Sequence, residues 1–121
     1  MNIRVIGNQF SVCKIKDIKD VDFEDDYCFV GKTDEELSLV CKTELVPQNA
    51  EERDDGWRAF RIEGILDFSL IGILAKISGI LADAKIGIFA ISTYNTDYIL
   101  VKEDNLKKAL DALSEEGYQI I

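Results

Sequence analysis

The chain has 121 residues, 47% hydrophobic and 31% charged, with 23 acidic against 14 basic side chains and a formal net charge of −9. This composition belongs to folded proteins rather than disordered ones, and the length allows one domain of moderate core or two small domains sharing a core. So acidic a surface repels phosphate backbones, which argues against nucleic-acid binding, and the absence of histidine removes the commonest general base and the commonest zinc ligand.

The opening "MNIRVIGNQF" lacks the charged-then-apolar pattern of an export signal. Residues 9–15, "QFSVCKI", alternate as a strand. The following "KDIKDVDFEDD" has room for one helical turn and otherwise reads as an acidic loop. "YCFVGKT" (27–33) and "ELSLVCK" (36–42) form a hairpin turned by "TDE", and "TELVP" suggests another short helical turn. Cys13, Cys28 and Cys41 each fall inside a strand-like run. Their spacing fits no metal site, and their odd number suits a reducing compartment, so they read as small buried hydrophobes. "VPQNAEERDDGW", with the chain's one proline, a run of charge and a glycine, reads as a linker. It separates residues 1–56, with 14 acids and 7 bases, from residues 57–121, with 9 acids and 7 bases.

Past that point the pattern is clearer. "WRAFRIEGI" (57–65) is strand-like, and "LDFSL" is a loop. From Leu70, apolar residues recur at 70, 73, 74, 77, 80, 81 and 84, a helical period with Asp67 or Ser69 as candidate N-cap. "IGIFAIST" (86–93) and "DYILVK" (97–102) are an antiparallel hairpin. "EDNLKKALDALSEEG" places Leu106, Ala109, Leu110 and Leu113 on one helical face, with Gly117 as its stop, and "YQII" closes as a strand. The order β-α-β-β-α-β is the ferredoxin-like plan, an antiparallel sheet with both helices on one face. The first half is an eroded echo of it. The longest apolar stretch is broken by Lys76 and two glycines, so no membrane span is expected.

Two features invite a functional reading. The hairpin is bridged by a polar island, "STYNTD", which is either a long turn or half of a small-molecule site. Gly72, Ala75, Gly79 and Ala82 form a strip of small residues along the first helix. Helical glycine costs roughly 1 kcal/mol relative to alanine, so close approach of a neighbour or, at Gly72, of a ligand should offset it.

The stretch "GILDFSLIGILAKISGILADAKIGIFAISTYNTDYILVKEDNLKKALDAL" resembles the ACT domain, and "FSVCKI…YCFVGKTDEELSLVCKTELVP…WRAFRIEG" resembles its N-terminal partner in tandem ACT proteins. More narrowly, the stretch is similar to the tandem ACT proteins related to the regulatory domains of aspartokinases and to the eukaryotic arginine-sensor proteins, and "STYNTDYILV" is its most specific block. The resemblance implies an α+β fold of two ferredoxin-like units in tandem, the first (1–56) degenerate and the second (57–121) complete. It implies a regulatory module that binds a free amino acid or similar small molecule and does no chemistry, with a protein-interaction module as the alternative. The ligand contacts it implies are Asp67, Phe68, Ser69, Leu70, Ile71 and Gly72 in the loop into the helix, and Thr93, Tyr94, Asn95 and Asp97 in the hairpin. A cytoplasmic homodimer without cofactor or metal, and without nucleic-acid or membrane partners, is expected.

Overall fold

The computed structural model of the protein describes residues 1–64 and 71–121. Its elements, in chain order, are β1 (Asn2–Lys14), β2 (Cys28–Lys32), β3 (Leu37–Lys42), β4 (Glu52–Ile62), α1 (Ile73–Asp83), β5 (Phe89–Ser92), β6 (Asp97–Lys102), α2 (Leu106–Glu115) and β7 (Gln119–Ile120). Single 3-10 turns sit at Ile18–Asp20, Thr43–Leu45 and Glu103–Asn105. The chain forms two compact units, Met1–Gly7 with Arg58–Ile121, and Asn8–Trp57. The sequence suggested segments 1–56 and 57–121. Met1–Gly7 groups with the later residues because Asn2 and Ile3 pair in parallel with Gln119 and Ile120.

The larger unit has the strand order β7-β1-β4-β6-β5. Within one ferredoxin-like repeat, the last strand would lie beside the first, β7 beside β4. Here the N-terminal residues of β1 occupy the place between them. The Glu63 N–H donates to the Asn2 carbonyl at 2.9 Å on one side, and the Ile121 N–H to the Ile3 carbonyl at 2.7 Å on the other. Alternation along the strands sends Ile3, Phe60, Ile62, Ile99 and Val101 into one core with Ile77 and Leu81 of α1 and Ala109 and Leu113 of α2. Both helices therefore cover one sheet face. The apolar spacing read from the sequence lands on that core at Ile73, Leu74, Ile80 and Ala84 as well. Truncating a fully buried aliphatic side chain in such a cluster costs about 2–5 kcal/mol.

Helix α1 starts later than the periodicity suggested. Its N-cap is Gly72, in the left-handed region at φ 82°, not Asp67 or Ser69. A positive φ breaks the helical run before Ile73, and glycine adopts it without the Cβ clash other residues meet. The Gly72 carbonyl accepts from the Lys76 N–H at 2.8 Å, closing the first turn. The strip of Gly72, Ala75, Gly79 and Ala82 is exposed, and a Cβ built at Gly79 meets nothing within 4 Å. Close approach of a neighbour in this unit is thus not what Gly79 provides. At the end of α2, Gly117 takes φ 95°, and the Tyr118 N–H returns to the Leu113 carbonyl, the expected stop.

The smaller unit has the order β2-β3-β1-β4. Its core is Cys13, Ile15, Val21, Leu39 and Cys41, with Cys28, Val30 and Leu45 against it, so the cysteines do serve as small apolar side chains. The second half of the stretch read as a linker is strand: β4 begins at Glu52. Backbone pairing explains it. The Glu51 N–H donates to the Lys14 carbonyl at 2.8 Å, Ser11 Oγ donates to Asp55 Oδ1 at 2.6 Å, and Arg53 pairs with Asp55. At the edge of this unit a strand can be held by its neighbour while its side chains stay in water, and charge there discourages edge-to-edge association.

Each unit carries the same hairpin device. Thr33 N–H donates to the Glu36 carbonyl at 2.9 Å, and Thr33 Oγ1 accepts from the Glu36 N–H at 3.2 Å. Sixty positions on, Thr93 N–H donates to the Thr96 carbonyl at 2.8 Å, and Thr93 Oγ1 accepts from the Thr96 N–H at 3.3 Å. A 3-10 turn follows the second strand in both cases, at Thr43–Leu45 and Glu103–Asn105. This is the tandem relation the sequence suggested.

Candidate functional site

The expected site draws on two segments. Of the first, Asp67, Phe68, Ser69 and Leu70 lie outside the described residues. Ile71 is 95% exposed, and it lines a cleft of about 330 Å³ with Gly72, Lys76, Glu116 and Tyr118. Lys76 Nζ stands 5.8 Å from the Tyr118 ring centroid at this cleft, so its charge lies over an aromatic face.

The second segment is the β5–β6 bend. Ser92 faces Asp97 in register, and Ser92 Oγ donates to Asp97 Oδ1, which pins that carboxylate to the base of the turn. Thr93 Oγ1 donates to the Thr96 carbonyl at 2.9 Å, so its hydroxyl shapes the bend. Tyr94, at the tip, is 80% exposed. Thr93 and Asn95 line a hollow of about 290 Å³ whose other walls are Arg61, Glu63, Gly64, Thr96 and Tyr98. Thr96 Oγ1 donates to the Ile62 carbonyl at 2.8 Å, which ties the bend to the end of β4.

Charge in this hollow is organised. Arg61 Nη1 donates to Tyr98 Oη at 3.1 Å, and its Cζ lies 5.9 Å from the Tyr98 ring centroid. Glu63 Oε2 accepts from Arg4 Nε at 3.0 Å and, more weakly, from Arg61 Nε at 3.4 Å. Burial works to raise the Glu63 pKa, but hydrogen bonds and charge from Arg4 and Arg61 outweigh it and hold the carboxyl below its ordinary value. The Tyr98 contact, ahead of Glu63, raises that of Arg61. Both groups are therefore ionised at neutral pH.

The described residues thus put Thr93 and Asn95 in one hollow, and Ile71 and Gly72 in another. Arg61, Glu63, Thr96 and Tyr98 were not among the residues singled out from sequence. The available signal was the "RIE" triplet, where Arg61 and Glu63 flank the buried Ile62 and so share the opposite strand face. Among the described residues no group of three or more His, Cys, Asp or Glu side chains could hold a metal ion, and no helix is long and apolar enough to cross a membrane.

Comparison with known proteins gives a consistent family. The human "Cytosolic arginine sensor for mTORC1 subunit 1" is 45% identical over 64 residues, covering 50% of this chain and 20% of that protein. The counterpart in Bos taurus is 45% identical over 58 residues, covering 47% of this chain and 18% of its own length. The chain therefore spans about a fifth of the length of these relatives. A crystal structure of an Agobacterium tumefaciens protein superposes with a TM-score of 0.88 at 27% identity, covering 99% of this chain and 91% of that one. The ligand-free regulatory subunit of aspartate kinase from Thermus thermophilus shares the fold, with a TM-score of 0.67 at 12% identity over 95% of this chain and 96% of that one. The ACT domain model matches residues 52–115, more than half of the 121 positions, and the chain belongs to the ACT domain family.

Proposed function

We propose that this chain is a non-catalytic regulatory module that binds a free amino acid or a similar small molecule and acts in the cytoplasm as a homodimer. The observation that carries the reading is the 45% identity, across half of the chain, to proteins described as cytosolic arginine sensors. Its site is made by the loop into α1 (Asp67, Phe68, Ser69, Leu70, Ile71, Gly72) and the hairpin (Thr93, Tyr94, Asn95, Asp97). A zwitterion needs N–H donors for its carboxylate and acceptors for its ammonium. Main-chain groups around the start of α1 suit the first, and the Asp97 carboxylate suits the second. The lack of histidine in the chain fits a binding role better than acid–base catalysis. Self-association is supported by β5, an edge strand whose sequence "FAIS" carries no charge, together with the exposed small-residue strip of α1.

The direct test is a thermal melt against the twenty amino acids. A ligand at a hundredfold over its dissociation constant adds about 2.7 kcal/mol and raises Tm by several degrees. No shift with any of them, and no heat in titration calorimetry at millimolar ligand, overturns the reading.

A second reading, an interaction module with a vestigial site, draws support from the acidic segment. Asp17, Asp20, Asp22, Glu24 and Asp26 are exposed around Phe23, itself 62% exposed. It requires that Asp97→Ala leave regulation intact while charge reversals at Asp20, Asp22 and Asp26 abolish it. Neutral reversals remove it.

A further inference from the structure

The hollow behind the hairpin bend is lined by one cation, Arg61, and one anion, Glu63, and a second cation, Arg4, engages Glu63 from outside that lining. Two guanidinium groups, Arg4 and Arg61, converge on one carboxylate, Glu63, in a chain whose net charge is −9. The remaining walls, Gly64, Thr93, Asn95, Thr96 and Tyr98, are uncharged. A guanidinium has five N–H donors. Among the described residues, Arg61 spends Nε on Glu63 and Nη1 on Tyr98, which leaves Nη2 uncommitted. Its side chain is 27% exposed, so it is held in place yet reachable from the hollow. The floor is fixed: Thr96, 7% exposed, holds the bend to β4 through the Ile62 carbonyl. Pre-set donors of this kind bind an anion without first paying to be ordered.

We propose that Arg61 is the anchor for a carboxylate at a second place, apart from the main-chain donors at the start of α1, and that the hollow bounded by Arg61, Thr93, Asn95 and Tyr98 receives the carboxylate end of a small organic acid, a free amino acid among them. This rests on the amino-acid reading above for the identity of the ligand, but not for the chemistry of the site. Arg61 presents Nη2 and the free Nη1 proton to the two carboxylate oxygens as a fork. Tyr98 holds the guanidinium through its hydroxyl, and Thr93 and Asn95 line the same hollow. Entry of one negative charge balances the one positive charge by which Arg4 and Arg61 together exceed Glu63.

The test follows the Arg61 Nε–H resonance by NMR in the full chain while acetate, acetamide, glycine and glycinamide are titrated. Acetate and glycine should move it along a saturable curve, and the two neutral-ended amides should not. Arg61→Gln should weaken acetate binding about tenfold or more, and Arg61→Lys, which keeps the charge but loses the fork, should fall between. The amide spectrum reports whether either variant remains folded, and the wild-type titration stands without them. A linear, unsaturating response to acetate, or equal responses to acetate and acetamide, overturns the proposal. If amino acids bind but the Arg61 resonance and Arg61→Gln are silent, this proposal fails while the amino-acid reading stands. If acetate saturates the site and no amino acid binds, the amino-acid reading fails and the carboxylate site stands.

Discussion

Thr96 Oγ1 donates to the main-chain carbonyl of Ile62 at 2.8 Å, and both residues are buried. That bond ties the polar bend to the end of β4, beside Arg61 and Glu63. Thr96→Val preserves shape and removes the donor, so the Ile62 carbonyl loses that partner. The expected loss is about 1–3 kcal/mol in urea unfolding, with Thr96→Ser close to wild type. An unchanged midpoint for the valine variant would show that the bond contributes nothing net.

The two glycines of α1 should respond in opposite directions. Gly72 sits at φ 82°, where a Cβ is strained, so Gly72→Ala should destabilise by about 1 kcal/mol or more. Gly79 lies inside the exposed helix with open space around it, so Gly79→Ala should stabilise the monomer by about 0.5–1 kcal/mol. Chemical denaturation at low protein concentration measures both.

Asp25 and Lys42 make a pH-dependent contribution in the smaller unit. The Tyr27 N–H first, and then Lys42 at 3.1 Å, hold the Asp25 carboxyl below its ordinary 3.8 against the opposing effect of burial. The hydrogen bond to Asp25 raises Lys42 above its ordinary 10.5. The depressed acid stabilises above its unfolded pKa, and that contribution disappears as pH falls through the folded value. The raised base stabilises below its unfolded pKa, and that contribution disappears as pH rises through the folded value. Asp25→Asn should therefore lower Tm by a constant amount between about pH 5 and pH 9, with the difference shrinking as pH falls below the ordinary carboxylate range. A penalty that persists in acid would assign the effect to shape rather than charge.

The cysteines should separate on labelling. Cys13 and Cys41 are 3% exposed, whereas Cys28 is half-buried. Burial, with lesser help from Asp22 and Asp25, pushes the Cys28 thiol up, so even it should react slowly at neutral pH and faster as pH rises. One equivalent should react with a thiol reagent in the native protein, and three in denaturant. Fast labelling of all three at pH 7 would contradict the burial.

Where side-chain period decides the answer, the sequence was readable. Ile77, Leu81, Ala109 and Leu113 announce their core face by spacing alone. The run Glu52–Asp55 was not readable, because a strand exposed at a sheet edge has no apolar alternation to report and its charges look like those of a linker. Nor could local pattern reveal that β1 lies between β4 and β7, since pairing of Asn2 with Gln119 is set by tertiary geometry. At the candidate site, hydroxyls and amides at a bend mark Thr93 and Asn95 as polar turn residues. Arg61 looks like any solvated strand cation until Tyr98 and Glu63 are seen around it.

The insertion of β1 has a consequence for biosynthesis. Asn2 leaves the ribosome well before its neighbour Gln119, which emerges more than a hundred residues later. Until then nascent β1 lacks its β7 partner and must be kept from wrong ones. Closure of the larger unit is a late, long-range step, and translation rate or a chaperone has more influence on it than on either hairpin.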